Sequence, residues 1–178
     1  DSDPSRGLGD VYKRQALDSV SAPGSDFTLK NYLKTEIDHK NIINILRSIR
    51  QGIDQDTMAK IMIPGGRSIS KETLASMTKE KSLIDAVETL VKKSHGFDSR
   101  GLLEAIEASE EGTLDPVIQL LVKKRDALLY SMSHRSPVSV LPVVHYIESK
   151  THEVQNLRLL VRGKAAGLSN EVIKEHMR

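Results

Sequence analysis

The sequence predicts an all-α protein, and three observations support this prediction. Aromatic residues make up only 3% of the 178 residues, and the common residues are aliphatic ones with Lys and Glu, a composition that favours helices. Apolar residues recur at the three- and four-residue spacing of helices along most of the chain. No segment alternates with period two for long enough to indicate a strand. We therefore expect repeated helical subdomains held together by aliphatic contacts.

Residues 1–15 are predicted to lie outside the fold. Ser5 to Gln15 reads SRGLGDVYKRQ, which lacks periodicity and resembles the translation of a tagmentation sequencing adapter. We expect these residues to be a disordered scar, the alternative being a natural disordered tail. Residues 16–27, interrupted by Pro23 and Gly24, are then the remnant of a preceding helical segment.

The first clear helix begins at Thr28 and ends at Gly52, a natural C-terminal residue for a helix. A Pro-Gly turn, Ile63 to Gly66, follows, and Ser70 can cap the next helix. The first helix is predicted from an apolar stripe at helical spacing, namely Leu29, Leu33, Ile37, Ile42, Ile45, Leu46 and Ile49.

Three helices follow in the middle of the chain. Ser82 with Asp85 resembles a capping box, and Gly96 is the expected stop of that helix. Leu102 to Ile106 indicates a short helix. Asp115, followed by Pro116, indicates the start of an apolar helix that continues to Tyr130. Together these elements make residues 28–136 one predicted helical subdomain.

Pro137 and Pro142 indicate a break, after which a long helix begins near Val143. Gly167 is its expected end, and Ser169 caps a last helix. We expect residues 137–178 to be the start of the next subdomain. The long helix is predicted from the stripe Ile147, Val154, Leu157, Leu160 and Val161.

An internal duplication connects the two ends of this region. Asn41 and Asn156 lie 115 positions apart, and at this offset the match continues through the following turn. Each copy is expected to be a helix with one buried face, an internal Asn and Arg, a Gly stop and a capped next helix. The departure is Ile49 against Lys164. The matched pairs are Ile42/Leu157, Ile45/Leu160, Leu46/Val161, Arg47/Arg162, Gly52/Gly167, Ile53/Leu168 and Asp56/Glu171.

Composition excludes several classes of function. The chain has no Cys, so disulfide frameworks, thiolate metal sites and Cys nucleophiles are excluded. The net charge of +2 selects no partner, and no apolar run approaches the length of a membrane span. Locally, the charge separates into an acidic middle (Glu104, Glu107, Glu110, Glu111, Asp115) and a basic end (Lys150, Arg158, Arg162, Lys164, Lys174, Arg178).

Catalytic and ligand-binding motifs are weak, and we predict no catalytic, cofactor-binding or metal-ligating residue. The six histidines include no HExxH pattern, and the nearest metal candidate is Glu148 with His152, which is more typical of a solvated helix face. Gly65 to Ser68 could cradle a phosphate but lacks the spacing of a phosphate loop, which favours a structural turn.

Six residues are the candidate partner-binding or repeat-defining positions. For Asn41, Arg47, Asn156 and Arg162, an internal role in tying backbone carbonyls or helix ends together is the alternative to partner binding. The basic end of the chain could also bind nucleic acid, although no aromatic residues are interleaved with it. The six positions are Asn41, Arg47, Asn156, Arg158, Arg162 and Lys164.

Three strings resemble a known family. EIDHKNIINILRSIRQGI (Glu36 to Ile53), IPGGRSIS (Ile63 to Ser70) and HYIESKTHEVQNLRLLVRGKAAGLSNEVIKEHM (His145 to Met177) are similar to segments of the C-subunit family of V-type/A-type ATP synthases, which is related to the d subunit of eukaryotic V-ATPases. The resemblance covers about Leu17 to Arg178. Family chains are roughly twice as long, so it implies a C-terminal half, and it also implies a funnel of three similar helical subdomains.

The resemblance further implies a mechanical function. Family members are non-catalytic coupling subunits on the cytoplasmic face of the membrane proteolipid ring, where they receive the central stalk and transmit torque for ion transport. The implied partners are central-stalk subunits and the ring, with no cofactor, no small-molecule substrate and no nucleic acid. The alternative function is a generic helical adaptor or a nucleic-acid-binding regulatory module.

Overall fold

The computed structural model describes residues 15, 18, 27–94, 96–109 and 113–177, except for the side chain of Glu175. These residues form eight helices and no strand, which confirms the all-α prediction. The predicted adapter scar and the preceding-segment remnant lie almost entirely outside the described residues, as do His95, Glu110, Glu111 and Arg178.

The helices follow one another through short connections. They are α1 (Phe27–Arg50), α2 (Gln55–Ile61), α3 (Lys71–Met77), α4 (Leu83–Lys93), α5 (Leu102–Glu107), α6 (Asp115–Arg135), α7 (Leu141–Ala165) and α8 (Asn170–Glu175).

Most helix ends lie where the local signals predict them. Ser70 accepts the N–H of Thr73 at 3.1 Å and so caps α3. Ser82 caps α4 through the N–H of Ile84. The expectation that Gly96 ends α4 is wrong, because α4 ends at Lys93, where Ser94 donates its N–H and its hydroxyl to the carbonyl of Leu90. Pro142 lies in the first turn of α7, where a proline leaves no hydrogen bond unmade.

The chain separates into two compact units, Asp1–Leu129 and Tyr130–Arg178. The predicted subdomain boundary after residue 136 stays a prediction. In the first unit, α1 packs against α2, α3 and α4, and α4 packs against α3 and α5. In the second unit, α8 packs against α7.

The core of the first unit is aliphatic. Burying one Leu or Ile side chain stabilises a fold by about 1.5–3 kcal/mol, so this cluster dominates the stability of the unit. Its largest fully buried members come from α1, α3, α4, α5 and α6: Ile42, Ile45, Leu46, Met77, Val87, Leu90, Leu102, Val117 and Leu121.

Candidate functional site

Two polar side chains on the buried face of α1 bind the loop that connects α2 to α3. Asp38 and Asn41, which we call the loop-binding pair, are both fully buried and lie one helical turn apart. Buried polar groups are costly unless they are hydrogen-bonded. Both side chains therefore need partners, and the main chain of the loop supplies them.

The side chain of Asp38 binds the turn that contains the Gly-Gly pair. Its Oδ2 accepts the N–H of Arg67 at 2.9 Å and the N–H of Ser68 at 2.7 Å. Burial raises the pKa of the Asp38 carboxyl, and the hydrogen bonds from Ser68 and Arg67 oppose this shift. The turn therefore resembles an anion cradle, but the anion it holds is a carboxylate of the same chain. This geometry agrees with the interpretation of Gly65 to Ser68 as a structural turn.

Gly66 permits the close approach of this loop to α1. A Cβ atom at residue 66 would lie 2.0 Å from Oδ1 of Asp38, closer than atoms can approach. Within the described part of the chain, that oxygen has no hydrogen-bond partner and is shielded from solvent. Only glycine fits this position while Asp38 keeps its two main-chain bonds.

Asn41 binds the same loop at its start. Its Nδ2 donates to the carbonyl of Ile63 at 2.8 Å, and its Oδ1 accepts the N–H of Ile63 at 2.9 Å. The amide thus satisfies both main-chain groups of one residue, as a neighbouring strand would. Ile63, which is buried, packs with Ile37 and Leu33 of α1.

A buried ion pair connects α1 to α6. Glu36, which is 7% exposed, lies 3.2 Å from the guanidinium of Arg125 and accepts the hydroxyl of Tyr32 at 3.4 Å. Arg125 also pairs with Asp126 at 2.9 Å. Because each buried charge has an opposite charge beside it, neither is left uncompensated in the interior.

His39 lies beside this ion pair and is held neutral. Burial lowers the pKa of His39 to about 4, although the nearby Glu36 carboxylate opposes the shift. Its ring and the ring of Phe97 are nearly perpendicular, with their centroids 5.5 Å apart. His39, Thr35 and Phe97 line a cavity of about 440 Å³, which is also lined by Lys124 and Asp98, an ion pair at 2.8 Å.

The six candidate positions have three kinds of environment. Asn41 is fully buried, whereas Arg47 of α1 and Asn156 of α7 are half-buried. Arg158, Arg162 and Lys164 are exposed on α7, and Lys164 donates a hydrogen bond to Asn170.

The turn after each repeat helix has the same hydrogen bonds. In the first copy Gly52 has φ +65°, and its N–H donates to the carbonyl of Ile49 at 3.0 Å. In the second copy Gly167 has φ +74°, and its N–H donates to Lys164 at 3.1 Å. The bonds on either side of the glycine also correspond, namely Gln51 to Arg47 and Ile53 to Ser48 in one copy, Ala166 to Arg162 and Leu168 to Gly163 in the other.

The short helix after each turn is also equivalent. Asp54 caps α2 through the N–H of Thr57, and Ser169 caps α8 through the N–H of Val172. The residue at the matched position of the short helix is buried in both copies, Met58 at 5% exposure and Ile173 at 2%. Gly163 allows this contact in the second copy, since a Cβ there would lie 2.8 Å from Ile173. The duplication inferred from sequence therefore extends to main-chain geometry.

The burial of the two long helices differs, and one expectation is wrong. Ile42 is 0% exposed, but its counterpart Leu157 is 55% exposed, and Val161 is 67% exposed. The second copy therefore does not bury this face as the first does, contrary to the prediction from the repeat. The reason is that α3 and α4 pack on the face in the first unit, whereas in the described part of the second unit α7 packs with α8.

The roles of Glu36, Asp38, His39 and Arg125 were not predicted from the sequence. A signal was present, because the first three interrupt an otherwise apolar helix face next to Ile37. Charged residues on such a face are rarely buried without partners. Their partners lie far along the chain, however, and spacing alone did not identify them.

The described residues contain neither a metal-binding cluster nor a membrane-spanning helix. Among them, no three His, Asp or Glu side chains come together in a group that could hold a metal ion. None of the described helices combines the length and the apolar character needed to cross a membrane.

Comparison with known proteins gives a consistent result. The family described as ATP synthase (C/AC39) subunit matches residues 8–176. C subunits of A-type ATP synthases are similar to the chain: one from Haloquadratum walsbyi is 33% identical over 93% of this chain and 46% of its own length. One from Methanococcoides burtonii is 29% identical over 99% of this chain and 48% of its own length. The chain thus spans about half the length of the curated relatives it matches. No solved structure matches.

Proposed function

We propose, since the chain belongs to the ATP synthase (C/AC39) subunit family, that it is part of a non-catalytic coupling subunit of a rotary ATPase. In this function it would link the central stalk to the proteolipid ring, on the cytoplasmic side of the membrane. Torque transmission requires a stiff body whose elements do not slide past each other. Hydrogen bonds and an ion pair that join elements of the first unit support such a function.

The observation that carries the proposal is the loop-binding pair. Asp38 and Asn41 make four hydrogen bonds to the main chain of one loop, which fixes the register of that loop on α1. Main-chain contacts of this kind are short and directional, so they resist sliding better than apolar contacts. Glu36 adds an ion pair from α1 to α6. The buried polar groups of the first unit thus hold elements in place.

The basic side of α7 is the proposed docking surface for an acidic partner. Arg158 and Arg162 are exposed. Exposed cations attract acidic surfaces over about 8 Å at physiological ionic strength and raise the rate of association. An acidic foot of the stalk, or polar loops of the ring, would meet this requirement.

Reconstitution of an A-type ATP synthase with and without this chain tests the proposal. ATP-driven ion uptake into vesicles and ATP hydrolysis are measured together. We expect the chain to sediment with stalk and ring subunits, to increase ion uptake per ATP hydrolysed, and to hydrolyse no ATP by itself. ATP hydrolysis by the isolated chain, or failure to associate with either partner, would contradict the proposal.

A nucleic-acid-binding module is the alternative, and the exposed cations of α7 are the feature that favours it. Binding to a labelled oligonucleotide, measured from low to physiological salt, separates the two functions. A steep loss of affinity with salt would indicate counterion release from phosphates. We expect no binding at low ionic strength.

A further inference from the structure

We propose that the cavity beside His39 binds a phosphate monoester, a small molecule that carries a phosphate group on an apolar or aromatic body. The cavity has a volume of about 440 Å³ and lies entirely within the first unit. It is lined by residues of α1, of the loop before α3, of the loop after α4 and of α6. Pockets of roughly 300–1,000 Å³ are typical of small-molecule sites.

The polar groups that line the cavity are mainly hydrogen-bond donors. Arg67 is exposed, so its guanidinium and the N–H donors of its planar fork are accessible. Lys124 adds an ammonium group, and Ser68 adds a hydroxyl. Guanidinium and ammonium groups cannot accept a hydrogen bond, so they favour a ligand with negatively charged acceptor oxygens.

His39 adds a neutral donor to this set. It is 7% exposed, and its Nδ1 is shielded from solvent and has no hydrogen-bond partner within the described part of the chain. Buried N–H groups are rarely left unpaired, so we assign Nδ1 as the unprotonated nitrogen. The proton of the neutral ring then lies on Nε2, the ring nitrogen that an occupant of the cavity can reach.

The ion pair in the lining leaves Lys124 available to a ligand. Lys124 lies 2.8 Å from Asp98, but Asp98 also accepts hydrogen bonds from the guanidinium of Arg100 at 2.8 Å and 3.0 Å. The bonds from Arg100 and Lys124 hold the pKa of the Asp98 carboxyl well below its usual range, so this group stays ionised. If Lys124 turns to a bound anion, Asp98 keeps Arg100 as its partner.

The carboxylates next to the lining residues are already bound. Asp38 accepts two main-chain N–H groups of the loop before α3, and Glu36 and Asp126 both pair with Arg125. The lining itself contains two cations and one carboxylate, so an anion meets a net positive charge there. The bonds of Asp38 also hold the loop that carries Arg67 before a ligand binds, which lowers the cost of ordering the site.

The number of donors favours a phosphate over a carboxylate. Donors come from four side chains, namely Arg67, Lys124, Ser68 and His39, and a phosphate monoester presents one more terminal oxygen to them than a carboxylate does. Phe97 lines the same cavity and offers an apolar surface to the organic part of the ligand. The site therefore suits a molecule with both parts.

Titration of the full chain with phenyl phosphate tests the proposal, with inorganic phosphate and benzoate as comparison ligands. Isothermal titration calorimetry at low ionic strength measures the affinities. We expect saturable binding of phenyl phosphate that is at least about tenfold tighter than binding of either comparison ligand, because each of these lacks one of the two parts that the cavity accepts. The Nε2 resonance of His39 should shift when phenyl phosphate binds.

Substitutions separate the site from the general charge of the surface. Arg67→Ala should weaken binding at least about tenfold, because charge-assisted hydrogen bonds to the phosphate are lost. Arg135→Ala, which removes an exposed arginine outside the lining, is the matched control and should change the affinity less than about twofold. Asp98→Asn should tighten binding at least about threefold, because the charge that competes for Lys124 is removed. Ala127→Leu leaves the charge unchanged and should weaken binding by narrowing the cavity.

Several outcomes would overturn the proposal. Absence of saturable binding at millimolar phenyl phosphate would show that the cavity holds no such ligand. Equal weakening by Arg67→Ala and Arg135→Ala would indicate attraction to a basic surface, and weaker binding by Asp98→Asn would contradict the role of Lys124. Benzoate or inorganic phosphate that binds as tightly as phenyl phosphate would assign the cavity to a carboxylate or to free phosphate. Far-UV circular dichroism confirms that each variant keeps its helices.

Discussion

The α1–α2 segment and the α7–α8 segment have the same main-chain turn, the same cap positions and a buried residue at the same position of the short helix. They differ in the environment of the long helix, whose apolar face is buried in α1 and exposed in α7. The turn and the caps of a helix–Gly–helix unit therefore depend on local interactions, whereas burial of its long helix depends on elements elsewhere in the chain.

The polar residues of the two segments show the same contrast. Asn41 binds Ile63, a residue 22 positions later, so its function requires the loop after α2. Asn156 lines an open groove at the equivalent place. One residue type at one repeat position is thus fully buried in the first unit and half-buried beside a groove in the second.

The largest expected effect comes from truncating the apolar face in each copy. Ile42→Ala should lower the free energy of unfolding by about 2–5 kcal/mol, because it leaves a cavity in a fully buried site. Leu157→Ala, the counterpart, should change it by less than about 0.5 kcal/mol. Urea denaturation followed by far-UV circular dichroism measures both, and equal effects would show that the two faces are buried alike.

The close approach of loop and helix is the second test. Gly66→Ala should destabilise the chain by about 2–3 kcal/mol, since the added methyl overlaps Asp38 and displaces its hydrogen bonds. Gly96→Ala is the control, because its Cβ would lie 3.6 Å from Ser68, an ordinary contact. If both variants melt at the same temperature, the loop does not depend on glycine at residue 66.

We expect His39 to give the first copy a pH-dependent contribution to stability that the second copy lacks. The residue at the equivalent repeat position of α7 is Val154, which does not titrate. Burial lowers the pKa of His39 to about 4 in the folded state, whereas the usual value is near 6.5. The unfolded chain therefore binds the proton first, so stability is fully present above about pH 6.5 and decreases as the pH falls toward 4. We expect His39 to account for a loss of about 2 kcal/mol over this range.

His39→Leu, which cannot titrate, isolates this contribution. The raised pKa of Asp38 acts in the opposite direction, because its protonation at low pH favours the folded state. The wild-type chain and the variant share the charged groups that influence the pKa of His39, namely Glu36, Lys124, Arg125 and Asp126. Urea midpoints measured at several pH values should fall less steeply in the variant, and parallel curves would contradict the assignment.

The smallest expected effect is one that the two copies share. Gly52→Ala and Gly167→Ala should each cost about 1–2 kcal/mol, because both residues have positive φ and no atom lies within 4 Å of the added methyl. The measurement is thermal unfolding of both variants. A clear difference between the two costs would mean that the turns are not equivalent.

The fold was predictable from the sequence to a large extent because its determinants are local. Ser70 and Ser169 cap helices, and Gly52 and Gly167 end them, through bonds within five residues. The candidate site was less predictable. Asp38 and Asn41 act on residues 22 to 30 positions away, and Glu36 acts on Arg125. Spacing along a helix does not encode such contacts.

Local sequence patterns were enough to predict that the protein is helical, where most helices end, and that one helix–Gly–helix unit occurs twice. These features depend on propensity, caps and positive φ, which act over a few residues. Which of the two matched apolar faces is buried, and which loop Asp38 and Asn41 bind, became evident from the three-dimensional contacts. The physical reason is that burial and main-chain pairing require a second surface, and that surface is supplied by residues distant in the chain.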